Sequence, residues 1–445
     1  MTLQKKTPLT DTPLSTIIVG AGLGGLAAAI SILENGHKVT ILEQAPAIGE
    51  IGAGIQVPPN ASRLLQHWGL DERMNAVSTL PQTCTMRRFA DGSVLNVAPL
   101  YPSFVERFGA PYYHVHRADY HKLLLDACVE LGAELVTGAF VTKVDFENGK
   151  CYTAARLDEP YEADLIIGAD GVNSKTRECL LGPDPPTPTG DLAYRLIVPA
   201  DKMKDIPELA EFVNAPAINF WLGPDCHVVG YLLRGGGLYN IVLLCPDTLS
   251  DPNAKTEKGD AAEMLSLFEQ WDPKLTRMLK LDTSPTVVKW KLMNREEAPK
   301  WVHEGGRFAL LGDAIHPTLP YLASGAAIAV EDGVALGELL GRVRSVEELP
   351  TALAIYERLR KPRTTRVVQG STNQRTLFHM HDGAEQVKRD EKMKAMEAGV
   401  GGSLNPFEGD PNRWRDGVWG EWLYGYDVLK AVEEAWPRGG EPLQK

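Results

Sequence analysis

Hydrophobic spacing divides the chain into stretches with two different rhythms. Short, mostly apolar runs, such as Ile17-Ile18-Val19, Val39–Leu42 and Ala163–Ile167, predict strands covered on both faces. Leu123, Leu124, Ala127 and Leu131 fall on one helical stripe, so Ala118–Leu131 is predicted as a helix. Asn60–Trp68 is predicted as a second helix, with Asn60 as its cap after a proline pair. Ala45–Val57 is rich in glycine and proline and is expected to be a loop. Gln82–Val97 alternates around Asp91-Gly92 and predicts a hairpin. Leu135–Val136, Val141–Phe146 and Tyr152–Ala155 are expected to be strands.

The rhythm changes after the proline-dense stretch Pro183–Pro188. Ala193–Val198, Ile218–Leu222, His227–Leu233 and Tyr239–Leu244 predict a run of strands, followed by helices near Ala261–Gln270 and Pro273–Leu279. From Ala326 the pattern is helical, over Ala326–Leu340 and Val346–Phe378. Arg344, Arg358, Arg360, Lys361, Arg363 and Arg366 are expected to form a mostly solvated helix face. The expected organisation is therefore a disordered tail at 1–14, a first nucleotide-binding part at 15–186 and an inserted β-sheet region at 187–296. A second nucleotide-binding part with long helices at 297–378 and a helical tail at 379–445 complete it.

Composition narrows the function classes. A net charge of −12 without a basic cluster speaks against nucleic acid as a partner. No apolar run reaches the roughly 18 residues of a membrane span, and the polar start with Lys5-Lys6 lacks a signal-peptide core. Six cysteines are scattered without CxxC or histidine spacing, which predicts reduced thiols, no metal site and a cytoplasmic setting.

Gly20-Ala21-Gly22-Leu23-Gly24-Gly25 follows Ile17-Ile18-Val19 and opens the helical stretch Leu26–Leu33; Glu43 then closes the next apolar run. This is the dinucleotide-binding fingerprint in its strand–turn–helix–strand context. Gly20 permits the tight turn, Gly22 lets the backbone approach a pyrophosphate, and Gly25 lets helix and strand pack closely. The helix N-terminus faces the anion, and Glu43 is the expected partner of a ribose hydroxyl. A second element lies far along the chain. Arg307–Leu311 is an apolar strand ending in Gly312-Asp313, followed by Pro320 and by Gly325-Ala326-Ala327 at a helix start. A dehydrogenase has no need of this remote element. A flavin does: Asp313 can bind a ribityl hydroxyl, and the Gly325 and Ala326 amides can face the ring where negative charge collects on reduction. The expected cofactor is non-covalent FAD.

These segments, with Ala163-Asp164-Leu165-Ile166-Ile167-Gly168-Ala169-Asp170-Gly171, resemble the single-component FAD-dependent aromatic hydroxylases over nearly the whole length. Gly49–Asn60 and Trp422-Leu423-Tyr424-Gly425-Tyr426-Asp427 are similar to the salicylate-hydroxylase-like branch, which includes fungal secondary-metabolite enzymes. The resemblance implies an α/β fold: a Rossmann-like FAD-binding domain, an inserted β-sheet substrate domain and a helical C-terminal region. It also implies that Arg117 lies by the flavin phosphates or ribityl chain, that Asp170 serves FAD and NAD(P)H, and that Pro320 shields the reacting edge of the flavin. Arg195, in an Ala-Tyr-Arg context, is expected to face a substrate phenolate, whose pKa a guanidinium lowers. Tyr231 is expected to bind the same oxygen, with His227 a rival base, and His316 is expected to be structural.

The implied reaction uses NADPH or NADH and O2. Oxygen passes from a flavin C4a-hydroperoxide to an electron-rich ring, a phenol or a salicylate-like acid. Indole 2,3-epoxidation of the kind found in alkaloid biosynthesis, a flavin halogenase, an oxidase or reductase, and a non-catalytic prenyl-lipid carrier stand as alternatives. No halogenase-type Trp-x-Trp-x-Ile segment is present.

Overall fold

A computed structural model describes residues 6, 7, 9, 13–49, 53–251, 254–282 and 284–436. The expected disordered tail falls largely outside these residues; of its described part, the Lys6 amide donates to the Glu34 carbonyl at 2.6 Å.

The apolar runs pair as a five-stranded parallel sheet, in the order Phe308–Leu310, Leu165–Gly168, Ser15–Val19, Lys38–Leu42, Glu134–Val136. Distant parts of the chain thus meet side by side, with Ile17 opposite Ile166 and Ile167 opposite Ala309. Parallel sheets need helices on both faces, and this requirement accounts for the lack of alternation in these runs. The helix Leu23–Glu34 is buried along its whole length and packs on the helix Gly325–Leu340. The two halves of the nucleotide-binding region are thereby fused into one α/β unit, as the fold class requires.

The second large sheet has eight strands, in the order Thr256–Asp260, Thr286–Asn294, Thr187–Pro199, Leu238–Pro246, Cys226–Leu233, Ala217–Gly223, Thr83–Arg88, Val94–Pro99. The hairpin expected within the first nucleotide-binding part supplies its last two strands, through a parallel pairing of Thr83–Arg88 with Ala217–Gly223. Residue alternation gives this sheet two jobs. Tyr194, Leu196, Trp221, Val228 and Leu243 point to one face and form an apolar core with the helices at Ala261–Leu267 and Pro273–Leu279. Arg195, Val242, Val229 and Phe220, aligned across four strands, point to the other. That face looks toward the nucleotide-binding unit.

Three local expectations are corrected. Gly54–Val57 is not loop: it is a strand, antiparallel to Tyr113–His116. The helix after it spans Pro59–His67, capped by Pro58, and Asn60 donates its side-chain amide to Glu331 at 2.6 Å instead of capping. The cationic face of the helix Leu349–Phe378 is only partly solvated. Arg344, Arg358 and Arg366 are exposed, but Arg360 and Arg363 are buried. Arg363 holds Glu331 through two bonds of 2.7 Å, and Arg360 bridges Glu331 at 2.7 Å and Asp332 at 2.8 Å. Burial alone would raise both carboxyls, but these guanidiniums hold Glu331 below its ordinary value, and His316 with Arg360 does the same for Asp332. A periodicity reading sees only charge on a helix; it cannot see two acids on the facing helix.

The tail continues as helices Ala384–Ala395, Gly417–Leu423 and Val428–Ala435. Its Trp414, Trp419 and Tyr424 pack against Phe104, Phe108 and Tyr112. No helix of the described residues is long and apolar enough to cross a membrane. All six cysteines are free thiols.

Candidate active site

Between the two sheets lies a cavity of about 410 Å³. The fingerprint forms its nucleotide end. Gly20 turns with a φ of 108°, and a Cβ there would strike the Ala169 carbonyl. A Cβ on Gly25 would strike the Gly20 carbonyl, so the helix start sits hard against the turn. A Cβ on Gly22, by contrast, would meet nothing within 4 Å. Its backbone opens onto free space at the N-terminus of the helix Leu23–Glu34, the room a pyrophosphate needs. Glu43 lies outside the cavity wall and accepts from the amides of Ala21 at 2.9 Å and Ala45 at 2.8 Å, which fixes its carboxylate beside the turn.

Opposite, the turn Gly312-Asp313 is tied down by the buried ion network. Asp332 accepts from the Gly312 amide at 3.0 Å and from His316 Nε2 at 2.5 Å. His316 therefore serves the turn's architecture. Asp313 projects into the cavity, and Arg117 lines the same space. Desolvation by the surrounding protein raises the Asp313 carboxyl, against the lowering pull of His316 and Arg117. Burial likewise pulls Arg117 down while Asp313 opposes. Pro320, Gly325 and Ala326 complete this wall.

The eight-stranded sheet makes the far wall. Arg195 lines it together with His227, Val229 and Tyr231, which alternate along one strand. Arg195 lines the cavity, where desolvation lowers it, Tyr231 raises it and Arg117 lowers it further. It stays a cation, since an arginine is not deprotonated in a protein. A single positive charge in a wall of Phe220, Val229, Val242 and Leu244 is a ready counter-charge for an anionic ring substituent. His227 Nδ1 lies 2.8 Å from His379 Nε2, and burial holds His227 well below its ordinary value, with His379 adding to the effect. Burial brings His379 down to about 4.

The cavity thus gathers Gly22, Gly25, Arg117, Arg195, Tyr231, Gly312, Asp313, Pro320, Gly325 and Ala326. Gly20 and Glu43 stand behind its wall. Asp170 departs from expectation. Its carboxylate accepts from Ser174 Oγ at 2.5 Å, Thr176 Oγ1 at 2.6 Å and the amides of Lys175 and Thr176 at 2.7 and 2.9 Å. These bonds tie down the start of the helix Lys175–Leu181 and turn the carboxylate away from the cavity, whose wall takes the neighbouring Ala169 and Gly171 instead. Sequence reasoning missed Gln56, which lines the cavity from the strand Gly54–Val57. It sits inside the Gly49–Asn60 segment that carried the resemblance, but its assignment to a loop hid the alternation that points it inward. Among the described residues no group of His, Cys, Asp or Glu is arranged to hold a metal ion.

Comparison with known proteins agrees with this geometry. Residues 13–371 match the family described as FAD binding domain. The chain is 40% identical over 427 residues to the FAD-dependent monooxygenase OpS4 of Beauveria bassiana, covering 95% of this chain and 97% of that protein. It is 37% identical to a 3-hydroxybenzoate 6-hydroxylase of Polaromonas naphthalenivorans, covering 94% and 98% of the two chains. The solved structure of a salicylate hydroxylase substrate complex, at 23% identity, shares the fold with a TM-score of 0.77 over 97% of this chain and 100% of that one. The first of these names is that of a monooxygenase and the other two are those of aromatic hydroxylases; none is that of a halogenase or a carrier.

Proposed function

The chain belongs to the FAD-dependent aromatic monooxygenases, and from that premise we propose that it hydroxylates a small phenol or hydroxybenzoate with NAD(P)H and O2. The observation that carries this reading is one cavity lined both by the nucleotide fingerprint and by the Arg195 wall. Bound FAD supplies the redox chemistry that activates O2 for transfer to an electron-rich ring.

The residues act as follows in this reading. Gly22 and the amides opening the helix Leu23–Glu34 hold the pyrophosphate, with Gly20 and Gly25 shaping the turn. Glu43 binds ribose. Arg117 and Asp313 take the phosphate and ribityl portion, and Gly312, Gly325 and Ala326 bring backbone amides to the ring. Arg195 holds the substrate oxygen as an anion, which enriches the ring carbon to be attacked. Tyr231 binds the same oxygen. Pro320 and the apolar wall exclude water from the reacting edge. His227, kept neutral by burial, is a weak base near neutral pH and can accept a hydrogen bond from a substrate hydroxyl without holding its proton. Free thiols on all six cysteines suit a reducing compartment such as the cytoplasm.

The test is a screen of NAD(P)H oxidation by the FAD-loaded protein across phenols, hydroxybenzoates and indoles. The reading expects phenolic acids to stimulate oxidation and to gain one oxygen by mass spectrometry. Stimulation only by indoles, or oxidation with no oxygenated product, would overturn it.

A further inference from the structure

The loop from Gly312 to Pro320 is a wall between two spaces. Gly312, Asp313, Thr318, Leu319 and Pro320 line the cavity described above. Ile315, His316 and Pro317, in the middle of the same loop, line a second and smaller cavity of about 130 Å³. Ala298, Trp301 and the helix residue Val368 complete its apolar lining. Ala298, Trp301, Ile315 and His316 are buried. Glu297, Thr365 and Gln369 line both this chamber and a wider groove along the helix Leu349–Phe378, and Glu297 and Gln369 are exposed, so the chamber has a mouth at the surface. Thr365 Oγ1 donates to Glu297 Oε2 at 2.6 Å at that mouth.

Size and chemistry define what such a chamber takes. An apolar cavity of about 150 Å³ holds one benzene ring, and this one is close to that size. Trp301, with its ring centroid 5.2 Å from that of His316, offers an aromatic wall. One polar atom there has no partner. His316 Nε2 is engaged with Asp332 at 2.5 Å, while Nδ1 is buried without a hydrogen bond, on a side chain 6% exposed. Asp332 also accepts from the Gly312 amide and from Arg360 Nε, so it is an acceptor and Nε2 carries the hydrogen between them. A neutral imidazole that donates through Nε2 keeps only a lone pair at Nδ1. It calls for a ligand with a hydrogen to give. A neutral phenol has the ring and the donor; a phenolate or a benzoate lacks the donor.

We propose that this chamber is a second binding site, for a neutral single-ring phenol that donates its hydroxyl hydrogen to His316 Nδ1, and that filling it acts on the flavin turn. The line of action is short. His316 Nε2 and the Gly312 amide meet at the same oxygen, Asp332 Oδ2, at 2.5 and 3.0 Å. A ligand on the other nitrogen of the imidazole therefore bears on the turn that carries Asp313. The Ile315 carbonyl accepts from the buried Arg177 at 2.8 Å, which ties the chamber side of the loop to the body of the protein. The chamber is an effector site in the strict sense: a place apart from the Arg195 wall, coupled to the cofactor end through one shared loop. Its chemistry does not depend on what is oxygenated in the main cavity.

The probe is 4-bromophenol. It is titrated calorimetrically into the FAD-loaded protein, and crystals of the same holoenzyme grown with it are searched for bromine by anomalous scattering. Val368→Phe sets a ring inside the chamber, and Ala298→Leu fills it from a different segment; neither residue lines the flavin cavity. With FAD bound, each variant is expected to take up one phenol fewer per chain than the wild type, and bromine is expected beside His316 in the wild type alone. 4-Bromotoluene matches the probe in size and lacks the hydroxyl hydrogen, so it is expected to bind the chamber roughly tenfold more weakly. Filling the chamber is also expected to add a shift to the visible absorption of the flavin that both variants lose. The proposal is overturned if either FAD-loaded variant binds as many phenols as the wild type, or if no bromine lies beside His316. It is equally overturned if the toluene binds there as tightly as the phenol, or if the spectral titrations of wild type and variants coincide. None of these outcomes reads turnover, so each is distinct from a failure to oxygenate phenols.

Discussion

Replacing Gly54 by alanine tests the geometry of the substrate end directly. The position needs glycine for room, not for backbone conformation. A Cβ there would lie 2.6 Å from Tyr231 Cε2, 2.7 Å from its hydroxyl oxygen and 2.9 Å from Asn240 Cγ. Ordinary contact begins at 3.4 Å, so the tyrosine ring or the strand Gly54–Val57 must yield by about 0.8 Å (3.4 less 2.6). The strand is held by the Gly54 amide donating to Asn240 Oδ1 at 2.9 Å and by its ladder to Tyr113–His116. Overpacking of this kind costs about 1–3 kcal/mol of stability. Misplacing a substrate-binding group by close to 1 Å costs on the order of 100-fold in rate. Gly54→Ala should therefore lower kcat/KM for the aromatic substrate by roughly 10- to 100-fold, while the affinity for FAD, bound at the other end of the cavity, stays within about threefold, well under 1.4 kcal/mol. Steady-state kinetics and FAD titration of the apoprotein measure the two quantities. Unchanged kcat/KM would show that Tyr231 does not bear on the substrate.

Three further outcomes follow from the same geometry. Arg195→Met should reduce product formation by about 10- to 100-fold, the range for a hydrogen bond to a charged group, with FAD still bound; normal hydroxylation by this variant would remove Arg195 from the site. Asp170→Ala should cost about 1–3 kcal/mol in urea unfolding by freeing the groups its carboxylate now receives, while Asp313→Ala should be the variant that weakens FAD in calorimetric titration; the reverse pattern would restore Asp170 to the cofactor. The folded protein binds its His379 proton only near pH 4, against 6.5 for a free histidine, so below pH 6.5 the unfolded chain holds more protons. Stability should then fall as pH drops from about 6.5 to 4, by up to about 3 kcal/mol from this residue alone, and His379→Gln should flatten that part of the urea-unfolding profile; an unchanged profile would contradict the burial of a neutral imidazole.

The nucleotide half of the molecule was legible because its determinants are local. Gly20, Gly22 and Gly25 act within one turn, and the apolar runs that flank them have no other stable place than the middle of a covered sheet. The Gly312-Asp313 turn was legible for the same reason. The partners of the cationic helix were not. Whether Arg363 meets water or Glu331 depends on how two helices cross, and helical periodicity is the same in both cases. Asp170 reads as a functional loop acid and as a capping acid with equal ease; only the positions of Ser174 and Thr176 in space decide between them. Gln56 was hidden by a different route. Its strand is four residues long, too short for alternation to register, and its hydrogen-bonding partner Tyr112, itself bonded by Trp414, comes from elsewhere in the chain.

In the proposed reaction one cavity brings a flavin and a phenolic ring together for oxygen insertion. Isotopically labelled O2 tests it most directly, supplied to the FAD-loaded protein with reduced nicotinamide and a hydroxybenzoate. One labelled oxygen is expected in each molecule of hydroxylated product. Consumption of the labelled gas with all of it recovered as hydrogen peroxide, and no label on the ring, would contradict it.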